Sequence, residues 1–458
     1  AAGAAAAPGA RAGASAGAPT TSAAVPRAYR WVQPVVRRHP DSLPFPHLPA
    51  GTDTMPEIEH LVVLMMENHS YDNYLGLLRR GDGFALGRRG RPTNSNPTGT
   101  PGQALRVFHM PSDCQQDGHP SQEWLASHEQ YADGRNDGFA TSASGPVAMG
   151  YWDGTDLPFY YSLASTFPLA DRWFSSLLGQ TLPNRRYLLA ATSAGMVNDD
   201  DSKLAQPPPN GTIFDRLDQH GIEWRDYYHS ASSYPGSLVW LSEGSTIGPH
   251  NVPIERFFED SASGSLPGLS LVDPDFGTGS EEDPQNISEG ERFSSEVVRA
   301  VMHGPAWHKT LLVWLYDEHG GYYDHVPPPP ALPPDSIAPM PPSGESSYDG
   351  FARYGFRVPA VVVSPFAKRN HVSHVIYDHT SILAMVERKW NLPALSYRDA
   401  NANALTDFLD LRRPGFRDPP ALASPAASAA STGQGSGSAS CTPGDAGTIP
   451  PPGALVET

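Results

Sequence analysis

Two polar pairs, Glu67-Asn68 and Asp317-Glu318, stand directly after apolar runs, LVVLMM in the first case and LLVWLY in the second. Carboxylates gathered in one half-buried place repel one another unless they are protonated or neutralised by a cation. One divalent metal held by these four side chains is the economical arrangement. An all-oxygen donor set suits Mg, Ca or Mn more than Zn, although zinc accepts carboxylates too. A third stretch, SLLGQTLPNRRYLLAATSAG (176–195), places Thr181 after a glycine-containing turn, with Pro183 just inside a helix. A hydroxyl there faces unpaired N–H groups and the positive end of the helix dipole, which suits phosphate. Taken alone, Thr181 reads as an ordinary N-cap. Beside two acidic strand ends the nucleophile reading prevails, because a threonine alkoxide needs a metal or a base to form at neutral pH.

The elements that must position these groups are legible as strands alternating with helices. HLVVLMM (60–66), IEWRDYY (222–228), LLVWLY (311–316) and VPAVVVS (358–364) have strand length and are rich in Val and aromatics. SEGERFSSEVVRAVMHGPAW carries a Ser288-x-x-Glu291 capping box before an amphipathic run, and DHTSILAMVERKWNL opens on cap-type residues. The alternation predicts an α/β fold, a mostly parallel central sheet with helices on both faces. In such sheets ligands bind beyond the carboxyl ends of the strands. Glu67-Asn68, Asp317-Glu318 and Ser364 all fall just after apolar strands and are expected at that edge.

Residues 1–45 and 413–458 are rich in Ala, Gly, Pro and Ser and read as low-complexity arms around one domain, 46–412. The formal net charge is −17, with 32 basic and 49 acidic residues. That balance argues against nucleic acid, whose binding rests on Lys and Arg at phosphates, and against tight docking on anionic lipid. No apolar run reaches the length of a membrane span. The opening AAGAAAAPGARAG resembles the remains of a processed secretory protein, so a secreted or extracytoplasmic location is expected. Two cysteines, Cys114 and Cys441, allow one disulfide that would fasten the tail to the body; two unpaired thiols satisfy the same spacing. No feature predicts a protein partner.

Several blocks together resemble the bacterial and plant phosphoesterases that include non-specific phospholipases C and a secreted acid phosphatase, a family related to the alkaline phosphatase superfamily. The blocks are MENHSYDNYLG, DGRNDGF preceded by His128, DRWFSSLLGQTLPNRRYL, YDEHGGYYDHVPPP and YGFRVPAVVVSPFAKRNHVSHVIYDHTSILAMVERKW, in that order, between about residues 58 and 405. The resemblance implies an alkaline-phosphatase-like fold and a phosphoric-ester hydrolase acting on a phosphoester or phospholipid. It makes Glu67, Asn68, Asp317 and Glu318 metal ligands, with Thr181 the nucleophile at that metal. His128 becomes a substrate-phosphate or proton-handling residue. From its own place at the start of the Thr181 helix, apart from the resemblance, Asn184 is expected to help hold the phosphate oxygens. Asp324 and His325 read as loop-structuring groups, with His325 also a candidate for substrate contact. His371, His374 and His379 read as helix-capping and loop-bonding residues.

One departure stands out. Many relatives carry an Asp-Asp-His-Pro stretch whose His meets the phosphate; here GSEEDPQNISEGERF (279–293) puts Asp283 at that place. An anion cannot replace an imidazolium facing phosphate, although it can ligate a cation or contact another part of the substrate. The chain also stops soon after DANANALTDFLDL (399–411), without the further C-terminal β domains of larger relatives, which implies a compact, phosphatase-sized member. YWDGTDLPFYYSLASTF (151–167) reads either as a lipid-reading loop or, more ordinarily, as an amphipathic core helix. The reading from a different class is a non-catalytic, metal-bound surface- or carbohydrate-binding protein on the same scaffold.

Overall fold

The computed structural model describes residues 29–115, 120–200, 202, 207–229, 250–426, 441, 445–449, 451 and 453–454. Its strands are β1 (His60–Met66), β2 (Ser95–Pro97), β3 (Gln103–Arg106), β4 (Phe108–His109), β5 (Gly150–Tyr151), β6 (Leu169–Ala170) and β7 (Trp224–Tyr228), followed by β8 (Asn251–Pro253), β9 (Leu269–Val272), β10 (Thr310–Tyr316), β11 (Ala360–Val363), β12 (Val372–Ser373) and β13 (Gly453–Ala454). Eight of them form the central sheet in the order β12-β6-β11-β10-β1-β9-β7-β8. All but β11 run the same way, which is the mostly parallel α/β sheet expected. The central pair β1 and β10 is buried on both faces, which explains why each reads as an unbroken apolar run rather than an alternating one.

The helices form two mutually packing groups that cover the sheet. Pro158–Thr166, Ile254–Ser263 and Ile287–His303 pack together, the last against β1 and β10. Thr181–Ala190, Ile213–Gln219, Thr380–Trp390 and Tyr397–Asn401 form the other group. Pro158–Thr166 buries Phe159, Tyr160, Leu163 and Ala164, so the 151–167 stretch supplies a core helix rather than a lipid-reading loop. The helix expected from the Ser288 capping box starts earlier. Asn286 is its N-cap and accepts from the Ser288 N–H, while Glu291 reaches away to accept from Phe159 and Tyr160, capping the neighbouring helix.

The segment between Tyr29 and residue 45, expected as part of a low-complexity arm, lies against the body. The Trp31 indole donates to the Pro327 carbonyl and the Tyr29 hydroxyl to Asp82. The start of the expected tail is likewise held: Phe416 is buried, and Arg299 donates to the carbonyls of Leu422 and Ala423. Residues 1–28 of the expected arm, and most of the tail after 426, lie outside the described residues. Cys114 and Cys441 are joined as a disulfide.

β11 brings a correction. It pairs antiparallel with β10, Leu312 opposite Val363 and Leu315 opposite Ala360, so Ser364 leaves the sheet at the edge away from Asp317. Periodicity reports that a strand is buried, not which way it runs.

Candidate active site

β9, β1 and β10 lie side by side, with Leu64 level with Val272 and Met66 level with Tyr316. The residues that follow them are Asp273, Glu67 and Asp317, so three neighbouring parallel strands each deliver a carboxylate to one edge. Asn68 accompanies Glu67 with a φ of 69°, a left-handed conformation that Asn tolerates better than most side chains. Its backbone N–H donates to Asp317 Oδ1 at 3.2 Å, and the same oxygen accepts from Glu318 N–H at 2.7 Å. Gly320 follows in the next turn. A Cβ there would stand 1.8 Å from the Asn68 carbonyl oxygen, so only glycine lets the two loops meet.

Thr181 opens the helix Thr181–Ala190 and is the most exposed of the five expected ligands, at 8%. Its hydroxyl donates to Asn68 Oδ1 at 3.3 Å and also lies within hydrogen-bond reach of Asp317. The five residues Glu67, Asn68, Thr181, Asp317 and Glu318 are thus linked into one chain of contacts at the sheet edge, as the sequence leads one to expect.

Four further charged residues join them that the sequence reading missed. Arg185, one helical turn beyond Thr181, reaches Glu67 at 3.2 Å, Asp317 at 3.3 Å and Asp273 at 3.5 Å. Glu282 lies close enough to Glu67 for each to act on the other's charge. Asp199 accepts from the Leu182 N–H at 2.7 Å. Glu67, Asp273 and Asp317 therefore share one guanidinium, with Glu318, Glu282 and Asp199 near enough to act on their charge. Burial pushes Glu67, Glu318 and Asp273 well above the usual carboxylate range; Arg185 pulls Glu67 and Asp273 back only in part. Among the described residues Glu318 Oε1 has no hydrogen-bond partner, although Glu318 is completely buried. An orphaned buried carboxylate oxygen beside an amide oxygen, a hydroxyl and further carboxylates fits a hard divalent cation. Glu67, Asn68, Asp317, Glu318 and Thr181 are the residues that would hold it.

Other expected residues sit elsewhere or are already engaged. Asn184 accepts from the N–H groups of Ser176 and Leu177 and donates to the carbonyls of Gly179 and Gln180, so its amide shapes the turn before Thr181 and is not free for phosphate. The helix N-terminus is not open either, since Asp199 takes the Leu182 N–H and Pro183 has none. Asp283 is buried and accepts from the Tyr322 hydroxyl at 2.9 Å, within an aromatic layer rather than facing Thr181. Next to it Glu281 accepts from the hydroxyls of Tyr74, Tyr160 and Tyr316.

His325 belongs to a different cluster. It meets Asp72 at 2.6 Å and Asp82 at 3.3 Å, while Arg357 pairs with Asp72 and Asp324. This supports the loop-structuring reading of Asp324 and His325 and removes His325 from substrate contact. His128 stacks on Tyr348 with centroids 3.7 Å apart, and its Nδ1 meets the Trp124 carbonyl. It lines a 580 Å³ pocket with Glu129, Tyr131, Tyr348 and Arg353. Burial lowers its pKa to about 4, so the ring is neutral, with Nδ1 donating and Nε2 carrying the lone pair. His371 and His374 bond to Asp407 and Asp171, as loop-bonding residues should. His379 sits at the N-cap position of Thr380–Trp390 without capping it; its Nε2 instead meets the Asp317 carbonyl at 2.6 Å.

The chain is similar to known proteins over most of its length. The phosphoesterase family pattern matches residues 58–393. Non-specific phospholipase C1 of Arabidopsis thaliana is 32% identical over 396 residues, 79% of this chain and 73% of that protein. Non-specific phospholipase C3 of the same plant is 30% identical over 406 residues, 80% and 76% of the two chains. Phospholipase C B of Mycobacterium tuberculosis is 28% identical over 425 residues, 81% of each. Among solved structures, a Vibrio parahaemolyticus protein of the alkaline phosphatase superfamily overlaps with a TM-score of 0.38 at 10% identity, covering 79% of this chain and 72% of that one. With the matched span enclosing every strand end that carries the carboxylates, the chain belongs to the phosphoesterase family and is a phosphoric ester hydrolase.

Proposed function

We propose that the chain is an extracytoplasmic phospholipase C-type hydrolase in which Thr181 attacks phosphorus. The observation that carries this reading is the Thr181 hydroxyl, partly open to solvent and bonded to Asn68 Oδ1 at the rim of the acidic cluster. A divalent cation held there would supply positive charge that lowers the pKa of that hydroxyl and stabilises negative charge on the phosphoryl oxygens. Thr181 Oγ1 forms a bond to phosphorus as the bond to the leaving oxygen breaks, giving a phospho-threonine. Water then cleaves that ester and restores the hydroxyl. The relatives named phospholipase C favour a phospholipid diester over a phosphomonoester. The Cys114–Cys441 disulfide favours an oxidising compartment.

The test is release of p-nitrophenol from its phosphocholine and phosphate esters, with and without chelator. Turnover of the choline ester that stops on chelation is expected. Thr181→Ala should lower turnover by on the order of 10⁴-fold with an unchanged melting temperature. Full activity of that variant removes Thr181 as nucleophile. Hydrolysis of the phosphate ester alone would make the protein an acid phosphatase, and metal binding without turnover of either would make it a binding protein.

A further inference from the structure

We propose that Arg185 is a positioning residue for this reaction: one guanidinium fixes the carboxylates at the ends of three adjacent strands and thereby sets Thr181 over them. Its Nη2 lies 3.2 Å from Glu67, its Nε 3.3 Å from Asp317 and its Nη1 3.5 Å from Asp273. Nη2 also points to the carbonyls of Met65 and Met66, and the guanidinium lies over the Phe276 ring. Each nitrogen thus has a set direction, which a planar fork can satisfy and a single ammonium cannot.

The consequence for the site is geometric. Asp317 turns Oδ2 to Arg185 and keeps Oδ1 for the Asn68 and Glu318 N–H groups. Glu67 turns Oε1 to Arg185. Both carboxylates are therefore held in fixed orientations at the edge. Thr181 and Arg185 are four residues apart in one helix and so share a face. The grip on the strand ends accordingly sets the height of the hydroxyl above the edge. The inference rests on the Thr181 reading above.

Three variants test it: Arg185→Met, Arg185→Lys and Asp273→Asn. Metal binding is read as the shift in melting temperature on titration with Mg²⁺, Ca²⁺, Mn²⁺ and Zn²⁺ chlorides. Turnover is read as separate kcat and KM for p-nitrophenyl phosphocholine. Arg185→Met should bind metal at least about tenfold more weakly and lose about 100-fold in kcat, with KM within about threefold. Arg185→Lys should rescue little of this. A role confined to charge has the opposite sign, because removing a cation beside a metal tightens metal binding. Tighter or unchanged metal binding in Arg185→Met therefore overturns the proposal. Should that variant fail to fold, Asp273→Asn decides: it removes one contact of the clamp without touching an expected ligand, and weakening by about three- to tenfold is expected. Unchanged metal affinity and kcat in Asp273→Asn overturn the clamp. Absence of turnover in the parent protein defeats the hydrolase reading while the metal titration still tests the clamp. Absence of metal binding in the parent protein overturns both.

Discussion

Two buried acidic clusters lie in this molecule, and only one is balanced. Around Arg357, Asp324 accepts from the guanidinium with both oxygens, Asp72 from Arg357 and His325, and Asp82 from His325 and Arg172. Around Arg185 three carboxylates share one guanidinium, and Glu318 Oε1 and Asp273 Oδ2 have no partner among the described residues. Among the described residues Asp72, Asp324 and His325 have the mutual spacing of a metal site, as do the more exposed His109, Asp153 and Asp156, whereas the strand-end carboxylates do not. Arg357 already supplies the charge a cation would bring there, so spacing without charge accounting selects the wrong cluster. The cluster left short of positive charge is the one at the strand ends. Imbalance, rather than proximity, separates a site that awaits a ligand from a network that holds loops together.

The sharpest way to break this comparison is a matched pair of substitutions. Glu318→Gln should lower kcat/KM by several kcal/mol, about 10³-fold. The same change should stabilise the metal-free protein by about 1 kcal/mol or more, since it removes a buried carboxyl group that is costly to ionise and has an unmet oxygen. Arg357→Met should do the reverse, costing about 3–5 kcal/mol in urea unfolding while leaving kcat per folded molecule within about twofold. A metal-free Glu318→Gln protein less stable than its parent would mean that the catalytic cluster is balanced after all.

Next in size is pH. Burial alone would lower the His325 pKa, but the Asp72 charge and the bonds to Asp72 and Asp82 raise it to about 9. A raised histidine stabilises the fold fully below its unfolded value of about 6.5 and loses that contribution as pH rises through about 9. The difference corresponds to at most about 3 kcal/mol. Stability should therefore fall between about pH 7 and 9.5, and His325→Asn should flatten that part of the slope; an unchanged slope would leave His325 neutral in the fold. The smallest effect is metal linkage. At 100 times Kd a bound cation adds about 2.7 kcal/mol, and Arg357→Met should gain the same increment as the parent whereas Glu318→Gln should gain much less.

What the sequence disclosed follows the same division. β1 was placed without error and β10 missed by one residue, because strands buried on both faces are dense in Val, Leu and Met and end abruptly at polar groups. The pairs after them converge for that reason. Arg185 stayed hidden because arginine in a helix ordinarily reads as a solvated face, and nothing local says that three strand ends lie opposite. Asp199 and Glu282 sit in loops whose path is set only by tertiary packing. Asn184 was assigned to phosphate from its place near Thr181, but a side-chain amide two residues inside a tight turn first serves the turn's own backbone. Strands of two or three residues, such as β6, β8 and β12, leave too short a pattern to find.

The contact between Asn68 and Asp317 joins residues 249 positions apart in the chain. Thr181 and Asp273 must reach the same edge from between them. The expected ligands are spread over more than half of the chain, so no half-chain can contain them all and none should bind a cation there with the affinity of the whole protein. Contacts of such long sequence separation form late in folding, after the crossovers between the strands have docked.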